Sequence, residues 1–325
     1  MPPTLLVIGE VVDGALTRLS TEMATLARSL ADAAGGSAVG LIVDPAPADA
    51  AAELATFIGS VEAVSVPQLA NETWAPYALA EVERLAAGDV THVLLGVTAD
   101  GRDLGGLIVG RLGWGLLANA GGIEWNGSEI VVEASVLGGK AIVHSTFTSD
   151  TGVITVRPGT VEAEPAQAPG TVEARDAVGT LALPTAQVVE RVAEAGAEAS
   201  LEDARVVVVG GRGIGGPEGF ELVEELAALL GGVVGATRAS VDAGWIAYAR
   251  QIGQTGKIVK PALYLGLGVS GAMQHRVGMQ AAEAIVGVNK DQDAPIGEIA
   301  DLFVVGDLFE VGPALAAELR ARRGG

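Results

Sequence analysis

Residues 261–290 read PALYLGLGVSGAMQHRVGMQAAEAIVGVNK. An apolar run, Leu263 to Leu267, meets a turn of small residues built on Gly268, Ser270 and Gly271. A helix-like stretch follows, with Gln274 and His275 near its start, and a second apolar run, Ala284 to Val288, ends in Asn289-Lys290. Short apolar runs separated by a helical stretch predict parallel strands joined by crossovers. In such sheets, ligands bind beyond the carboxyl ends of the strands, where helix N-termini aim free N–H groups. Two such ends, bearing Ser, Gln, His and Asn, lie close together in this stretch. Core packing requires none of those polar groups, whereas a phosphate-bearing cofactor would use all of them.

The same alternation runs outward in both directions. Before the stretch, Arg205–Gly210 reads as a strand, followed by a Gly-rich turn, a helix over Pro217–Leu230 and a strand over Val233–Ala236. After it, Leu302–Gly306 reads as a strand and Pro313–Arg323 as a final helix. Towards the N-terminus, strand-like runs at Thr4–Ile8, Val39–Val43, Val61–Val66 and His92–Val97 alternate with helical patterns. Those patterns cover Ser20 (as a cap) to Leu30, Ala46–Ile58, Trp74–Ala87 and Asp103–Asn119. Three period-2 runs, Glu129–Val136, Lys140–Thr148 and Val153–Val156, predict an antiparallel finish. Residues 157–200 are rich in Pro, Gly, Glu and Ala, with one acidic helical pattern over Thr185–Ala197, and read as a connector. The fold class expected is α/β: two α/β domains with mostly parallel sheets, residues 1–200 and 201–325, the second doubly wound.

Composition narrows the function. With no cysteine among 325 residues, disulfides, thiolate catalysis and Cys-ligated metal clusters are excluded. Redox chemistry would need a bound organic cofactor or a metal held without Cys. No G-x-S-x-G motif and no paired-histidine spacing occur, so no catalytic nucleophile or metal site is expected. The net charge of −20 argues against nucleic acid as a partner. Residues 201–325 carry 11 Lys+Arg against 15 Asp+Glu, leaving 9 against 25 in residues 1–200. The near-neutral C-terminal part suits an anionic ligand, although an acidic surface elsewhere serves solubility equally well. No apolar run is long enough to span a bilayer, and MPPTLLVIGEVV has no basic n-region. A cytoplasmic protein without membrane insertion is the expectation.

Polar groups cluster after the predicted strands. Gly211-x-Gly213-x-x-Gly216 matches the dinucleotide fingerprint formally, with Arg212 inside it, but also describes a plain tight turn. Thr237 and Arg238 directly follow a strand, where Arg238 offers fixed charge to an anion or pairs with Asp242 on the surface. The heptad Gln251-Ile-Gly-Gln254-Thr255-Gly256-Lys has no hydrophobic period and offers amides, a hydroxyl and close backbone approach. Asn289 could reach sugar hydroxyls, or merely shape a turn. Asp307 could accept from a ribose or base, or cap the last helix. In the first domain Asp103 looks like a helix cap, and His92 and His144 read as core or sheet-face residues.

GGRGI, GATRASVDAG, RQIGQTGK, LGVSGAMQH, VGVNKDQDAPI and ADLFVVGDLFE occur in this order over residues 205–319. Densely and collinearly, this resembles the electron transfer flavoprotein alpha subunit family; TADGRDL and VLGGKAIV extend the likeness into the first domain. The resemblance implies an N-terminal α/β domain and a C-terminal DHS-like NAD/FAD-binding domain holding one noncovalent FAD. It implies a beta subunit carrying a structural AMP, with no catalytic turnover by this chain itself. Electrons would come from acyl-CoA and related flavin dehydrogenases, as in fatty acid beta-oxidation, and pass to a quinone oxidoreductase. A bifurcating relative, with a second FAD in the beta subunit and NADH as donor, would share the same alpha site. A self-contained NAD-dependent oxidoreductase is the remaining reading.

Carried onto this sequence, the resemblance implies Arg238 as charge over the flavin ring, Thr255 as donor at N5 and His275 at the pyrimidine carbonyl. Ser270, Gly271, Ala272 and Gln274 would cradle pyrophosphate and ribityl, and Thr237, Gln251 and Gly268 belong to the same cofactor-binding set. Gln254 and Gly256 would frame the ring edge, Arg212 would lie near the flavin, and Asn289 and Asp307 would hold the adenosine end. Three departures stand out: Thr237 replaces a usual Ser, Arg276-Val277 replaces Leu-Ala, and the Pro-Arg common after the RDL motif is absent near Gly106.

Overall fold

The structure, a computed structural model, describes residues 2–70, 72–136, 141–179, 186, 189, 201 and 204–323. It divides into two compact units, Met1–Val192 and Ala193–Gly325.

The first unit opens with β1 (Thr4–Gly9), a hairpin of β2 (Val11–Val12) and β3 (Ala15–Leu16), and helix α1 (Arg18–Ala34). It continues through β4 (Ser37–Asp44), α2 (Ala48–Leu54), β5 (Ser60–Ser65), α3 (Ala75–Ala86), β6 (His92–Gly96) and α4 (Ala99–Leu112). Six strands complete it: β7 (Gly115–Ala120), β8 (Gly122–Trp125), β9 (Ile130–Val136), β10 (Ala141–Ser145), β11 (Gly152–Val156) and β12 (Thr171–Asp176). Seven strands form one sheet in the order β12-β5-β4-β1-β6-β11-β7, every neighbouring pair parallel. A parallel sheet is covered on both faces, which is why TLLVIG is apolar without alternation. Leu5 and Val7 face one core with Met23 and Leu54, and Leu6 and Ile8 the other with Leu79 and Leu104.

Five expectations in this unit need correcting. Thr17, not Ser20, caps α1; Ser20 lies inside the helix and its hydroxyl accepts the Glu10 N–H at 2.8 Å. Helix α4 starts at Ala99, capped by Thr98 Oγ1, which accepts the Gly101 N–H at 2.9 Å, so Asp103 is no cap. Gly113, in the left-handed region, stops α4 at Leu112, and the residues read as its continuation form β7. The antiparallel finish is confined to β8-β9-β10, because β11 returns to the parallel sheet between β6 and β7. Part of the supposed connector is structured: β12 pairs with β5 at the sheet edge. Lys140 and most of the Thr185–Ala197 pattern lie outside the described residues.

The second unit contains β13 (Val206–Gly210), α5 (Phe220–Leu230), β14 (Val233–Thr237), α6 (Arg238–Asp242), β15 (Gln251–Ile252) and β16 (Leu263–Leu267). Then come α7 (Met273–Arg276), β17 (Ile285–Asn289), β18 (Leu302–Val305) and α8 (Leu308–Arg323). The sheet order is β15-β14-β13-β16-β17-β18, parallel throughout. The chain starts at the centre, moves outward twice, then crosses to the other side of β13. That is the doubly wound order, with its switch point between β13 and β16. Val208, Leu265 and Val288 pack against α5 and α8 through Phe220, Val223, Leu308 and Ala316. Val207, Val209, Tyr264 and Ile285 pack against Val259, Met279 and Ile296 from irregular segments on the opposite face. Two helices depart from expectation: α7 is one turn only, and α8 begins five residues before Pro313.

Candidate functional site

Every candidate flavin residue lies in the second unit, at or near the carboxyl edge of its sheet, where Gln251 and Ile252 pair with the last residues of β14. The turns after β13 and β16 meet at the switch point. Gly211 N–H donates to Leu267 O at 2.9 Å and Gly213 N–H to Gly268 O at 3.0 Å. A Cβ on Gly213 would lie 2.7 Å from the Gly268 Cα. These glycines therefore let two backbones touch, and one amide that a fingerprint turn would offer to a phosphate is already bonded. The turn reading of Gly211-x-Gly213 is the one the contacts favour. Arg212 projects as an exposed residue from this turn.

At the end of β14, Thr237 is buried and its Oγ1 lies 3.3 Å from Ser240 Oγ. Ser240 donates onward to Gly210 O at 3.2 Å, so the Thr237 proton points inward along this chain. Arg238 is exposed and its Nε donates to Asp242 Oδ2 at 3.1 Å, so the surface pair is formed. An exposed pair of this kind contributes only about 0–1 kcal/mol, and the guanidinium is easily redirected.

The heptad folds back on itself. Lys257 N–H donates to Gln251 O at 2.8 Å and Gly256 N–H to Gly253 O at 3.0 Å. Gly256 has no room for a side chain, because a Cβ would sit 2.4 Å from Gln251 O. Gln251 is buried and its Nε2 donates to Thr255 Oγ1 at 2.9 Å, while Gln254 and Thr255 stay exposed. The loop also reaches the segment after β16: Gln254 N–H donates to Gln274 O at 2.7 Å. In that segment Gly271 has φ +75°, and a Cβ there would meet Ile296 N at 2.4 Å. Ser270, Ala272 and Gln274 are exposed along it.

His275 departs from its expected part. It is buried, with Nδ1 3.0 Å from Ile252 O and Nε2 2.7 Å from the Tyr264 hydroxyl. A carbonyl only accepts, so Nδ1 carries the proton and Nε2 accepts from Tyr264. Burial lowers its pKa from 6.5 to about 4, against the opposing effect of the Ile252 carbonyl. The ring is neutral near pH 7, and both nitrogens are engaged within the protein.

Gln251, Gln254, Thr255, Gly256, Gln274 and His275 thus come together, with Thr237 opposite Ile252 on the adjoining strand. Asn289 and Asp307 do not join them. Asn289 closes its own turn, donating Nδ2–H to Val269 O at 2.9 Å and accepting the Asp291 N–H at 3.0 Å. Asp307 caps α8, accepting the Phe309 N–H at 2.8 Å. It follows β18, two strands from β16 and so about 10 Å across the sheet. Sequence reasoning passed over Tyr248, which donates to Thr255 O at 2.6 Å, and Tyr264. Tyr264 sits inside an apolar run and reads as core; only its hydroxyl, which must find a partner when buried, hints otherwise.

Among the described residues no group of three or more His, Cys, Asp or Glu is placed to hold a metal ion, and no helix is long and apolar enough to cross a membrane. A family model for the electron transfer flavoprotein domain matches residues 4–179, and one for the electron transfer flavoprotein FAD-binding domain matches residues 200–280. The chain is 42% identical over 326 residues to an electron transfer flavoprotein subunit alpha of Mycobacterium leprae, covering 98% of this chain and 99% of the relative. Subunits of the same description in Paracoccus denitrificans and Bacillus subtilis are 38% and 34% identical, covering 97% and 98% of this chain and 99% and 98% of the relatives.

Proposed function

Because the chain belongs to the electron transfer flavoprotein alpha subunit family, we propose that it is the alpha subunit of a cytoplasmic heterodimer holding one noncovalent FAD. In this reading it accepts electrons from acyl-CoA and other flavin dehydrogenases and passes them to a membrane quinone oxidoreductase. Residues 1–200 meet the beta subunit, which carries the AMP, and residues 201–325 hold the flavin. The observation that carries the proposal is the closure of the 251–257 loop onto the post-β16 segment through Gln254 and Gln274. It gathers exposed donors beside Arg238 at the carboxyl edge of a doubly wound sheet.

The residues present fit FAD. Ser270, Ala272 and Gln274 offer exposed polar and main-chain groups, and Gly271 and Gly256 let the backbone beneath them pack where a Cβ would strike Ile296 N and Gln251 O. Bound FAD supplies the one- and two-electron chemistry that this Cys-free chain lacks. The protein's part is to bind, orient and bias charge. Arg238 brings positive charge, Thr255 a hydroxyl donor at N5, and Gln254 and Gly256 the ring edge. Ser270, Gly271, Ala272 and Gln274 hold the pyrophosphate and ribityl. The neutral His275 contributes shape and fixed dipoles rather than charge, and Arg212, Asn289 and Asp307 border the adenosine end.

The test is to purify the chain with its candidate beta subunit, count flavin, and add an acyl-CoA dehydrogenase with its substrate. One FAD per pair, bleached only when the dehydrogenase turns over, is the expected result. Two FADs per pair with bleaching by NADH would move the assignment to a bifurcating pair. A colourless pair would overturn both.

A further inference from the structure

Thr255 is an exposed residue held firmly from behind. A surface threonine hydroxyl ordinarily samples several orientations. Here one group fixes the hydroxyl and a second fixes the main chain behind it. The Gln251 amide, 2% exposed, donates Nε2–H to Thr255 Oγ1 at 2.9 Å. The Tyr248 hydroxyl donates to the Thr255 carbonyl at 2.6 Å. Gln251 cannot easily move, because Lys257 N–H is bonded to its carbonyl at 2.8 Å and the Gly256 backbone lies against it.

A hydroxyl has one proton and two lone pairs. With one lone pair filled by Gln251, the Thr255 proton points away from the amide, and among the described residues no side chain or carbonyl accepts it. We propose that Gln251 is a positioning residue: its buried amide aims the Thr255 O–H outward as a preorganised donor to the ligand at this edge. The inference rests on the flavin reading and changes one part of it, since Gln251 acts through Thr255 instead of touching the cofactor. A donor already aimed needs no reorganisation when charge develops on its acceptor, so it would favour the cofactor form with the more electron-rich acceptor at that atom more than a free rotor would.

The experiment uses the full heterodimer loaded with FAD carrying 15N at N5, whose NMR shift reports a hydrogen bond at that atom. Thr255→Ala sets the displacement caused by losing the donor. Gln251→Glu keeps the shape but presents only acceptors when ionised, so the Thr255 proton turns inward. The expected result is an N5 shift displaced in the same direction as in Thr255→Ala, with acidification, which restores a proton to the new carboxyl, moving it back. A merely structural defect would not reverse with pH. If Gln251→Glu loses FAD, Gln251→Met supplies the answer, with a shift between wild type and Thr255→Ala expected. A wild-type N5 shift in the Gln251 variants beside a displaced one in Thr255→Ala overturns the positioning role and leaves the flavin site standing. An N5 shift unmoved by Thr255→Ala with FAD bound overturns the inference together with the place of Thr255 in the site.

Discussion

Arg238 and His275 divide the electrostatics of the site unevenly. Arg238 keeps a full charge at the surface, tied only to Asp242, whereas burial leaves His275 neutral. Arg238→Ala should therefore lower the flavin midpoint potential with FAD retained, by an amount on the order of 1 kcal/mol of reduction free energy. Asp242→Ala, which frees the guanidinium, should raise it. Potentiometric titration of the heterodimer checks both, and an unchanged potential in Arg238→Ala removes that role. For His275 the sign follows from a folded pKa below the ordinary 6.5. Between 6.5 and about 4 the unfolded state binds the proton first, so stability is full above this window and is lost as pH falls through it. The loss amounts to about 3 kcal/mol at most. His92, lowered to about 4 by burial, acts the same way in the first unit. His275→Gln should flatten the acid limb of the second unit's melting curve; an equally steep limb would contradict this. The sequence shows that residue 275 matters but not its protonation, because the burial around it comes from Tyr264 and Ile252, 11 and 23 positions away.

Helix ends were legible where the apolar pattern stops with the cap, as at Gly231, and not where it runs past one, as at Gly113. Gly231 ends α5 in the left-handed region as the pattern around Leu230 implies. Thr98 escaped notice because Asp103 offers an equally good capping side chain, and only the preceding strand's length decides between them. Asp307 is ambiguous for the same reason, since a carboxylate that caps a helix also suits a ribose. Cap and ligand roles separate under substitution. Asp307→Ala should cost about 1 kcal/mol of stability, and Asp307→Ser, which still caps, should restore it. If FAD affinity falls in both variants, the carboxylate serves the ligand; if it falls in neither, the cap is its whole role. Gly271 presents a sharper case. With φ +75° and a Cβ position 2.4 Å from Ile296 N, Gly271→Ala must shift the post-β16 turn. It should destabilise the second unit by about 1–3 kcal/mol and weaken FAD binding, as read by denaturant melts and flavin fluorescence. Ser270→Ala beside it should weaken binding without the stability loss.

For the whole molecule, the alternation of apolar runs discloses two parallel α/β sheets but not their strand orders. The second unit's order depends on β15, two residues long and set inside a polar heptad that carries no strand pattern. The first unit's edge depends on β12, largely exposed and written in the same Pro-, Gly- and Glu-rich text as its flanks. Its anchorage is tertiary: buried Glu81 accepts the Val178 N–H at 2.8 Å and the Arg84 Nε–H at 2.9 Å, and Glu62 on β5 pairs with Arg84 and Arg175. Apart from the Glu81–Arg84 pair, one turn apart on α3, no local pattern encodes such contacts. The division into units nevertheless has a thermodynamic consequence, because every candidate flavin residue falls within Ala193–Gly325. A ligand bound by one unit stabilises that unit by RT ln(1 + [L]/Kd), about 4 kcal/mol at a thousandfold excess over Kd. Stripping FAD should therefore lower the calorimetric transition of the second unit and leave that of the first in place, and Glu81→Ala should do the reverse by freeing an edge strand. If FAD removal lowered both transitions equally while Glu81→Ala also shifted both, the units would melt as one, and the flavin's stabilising effect would extend beyond the residues that bind it.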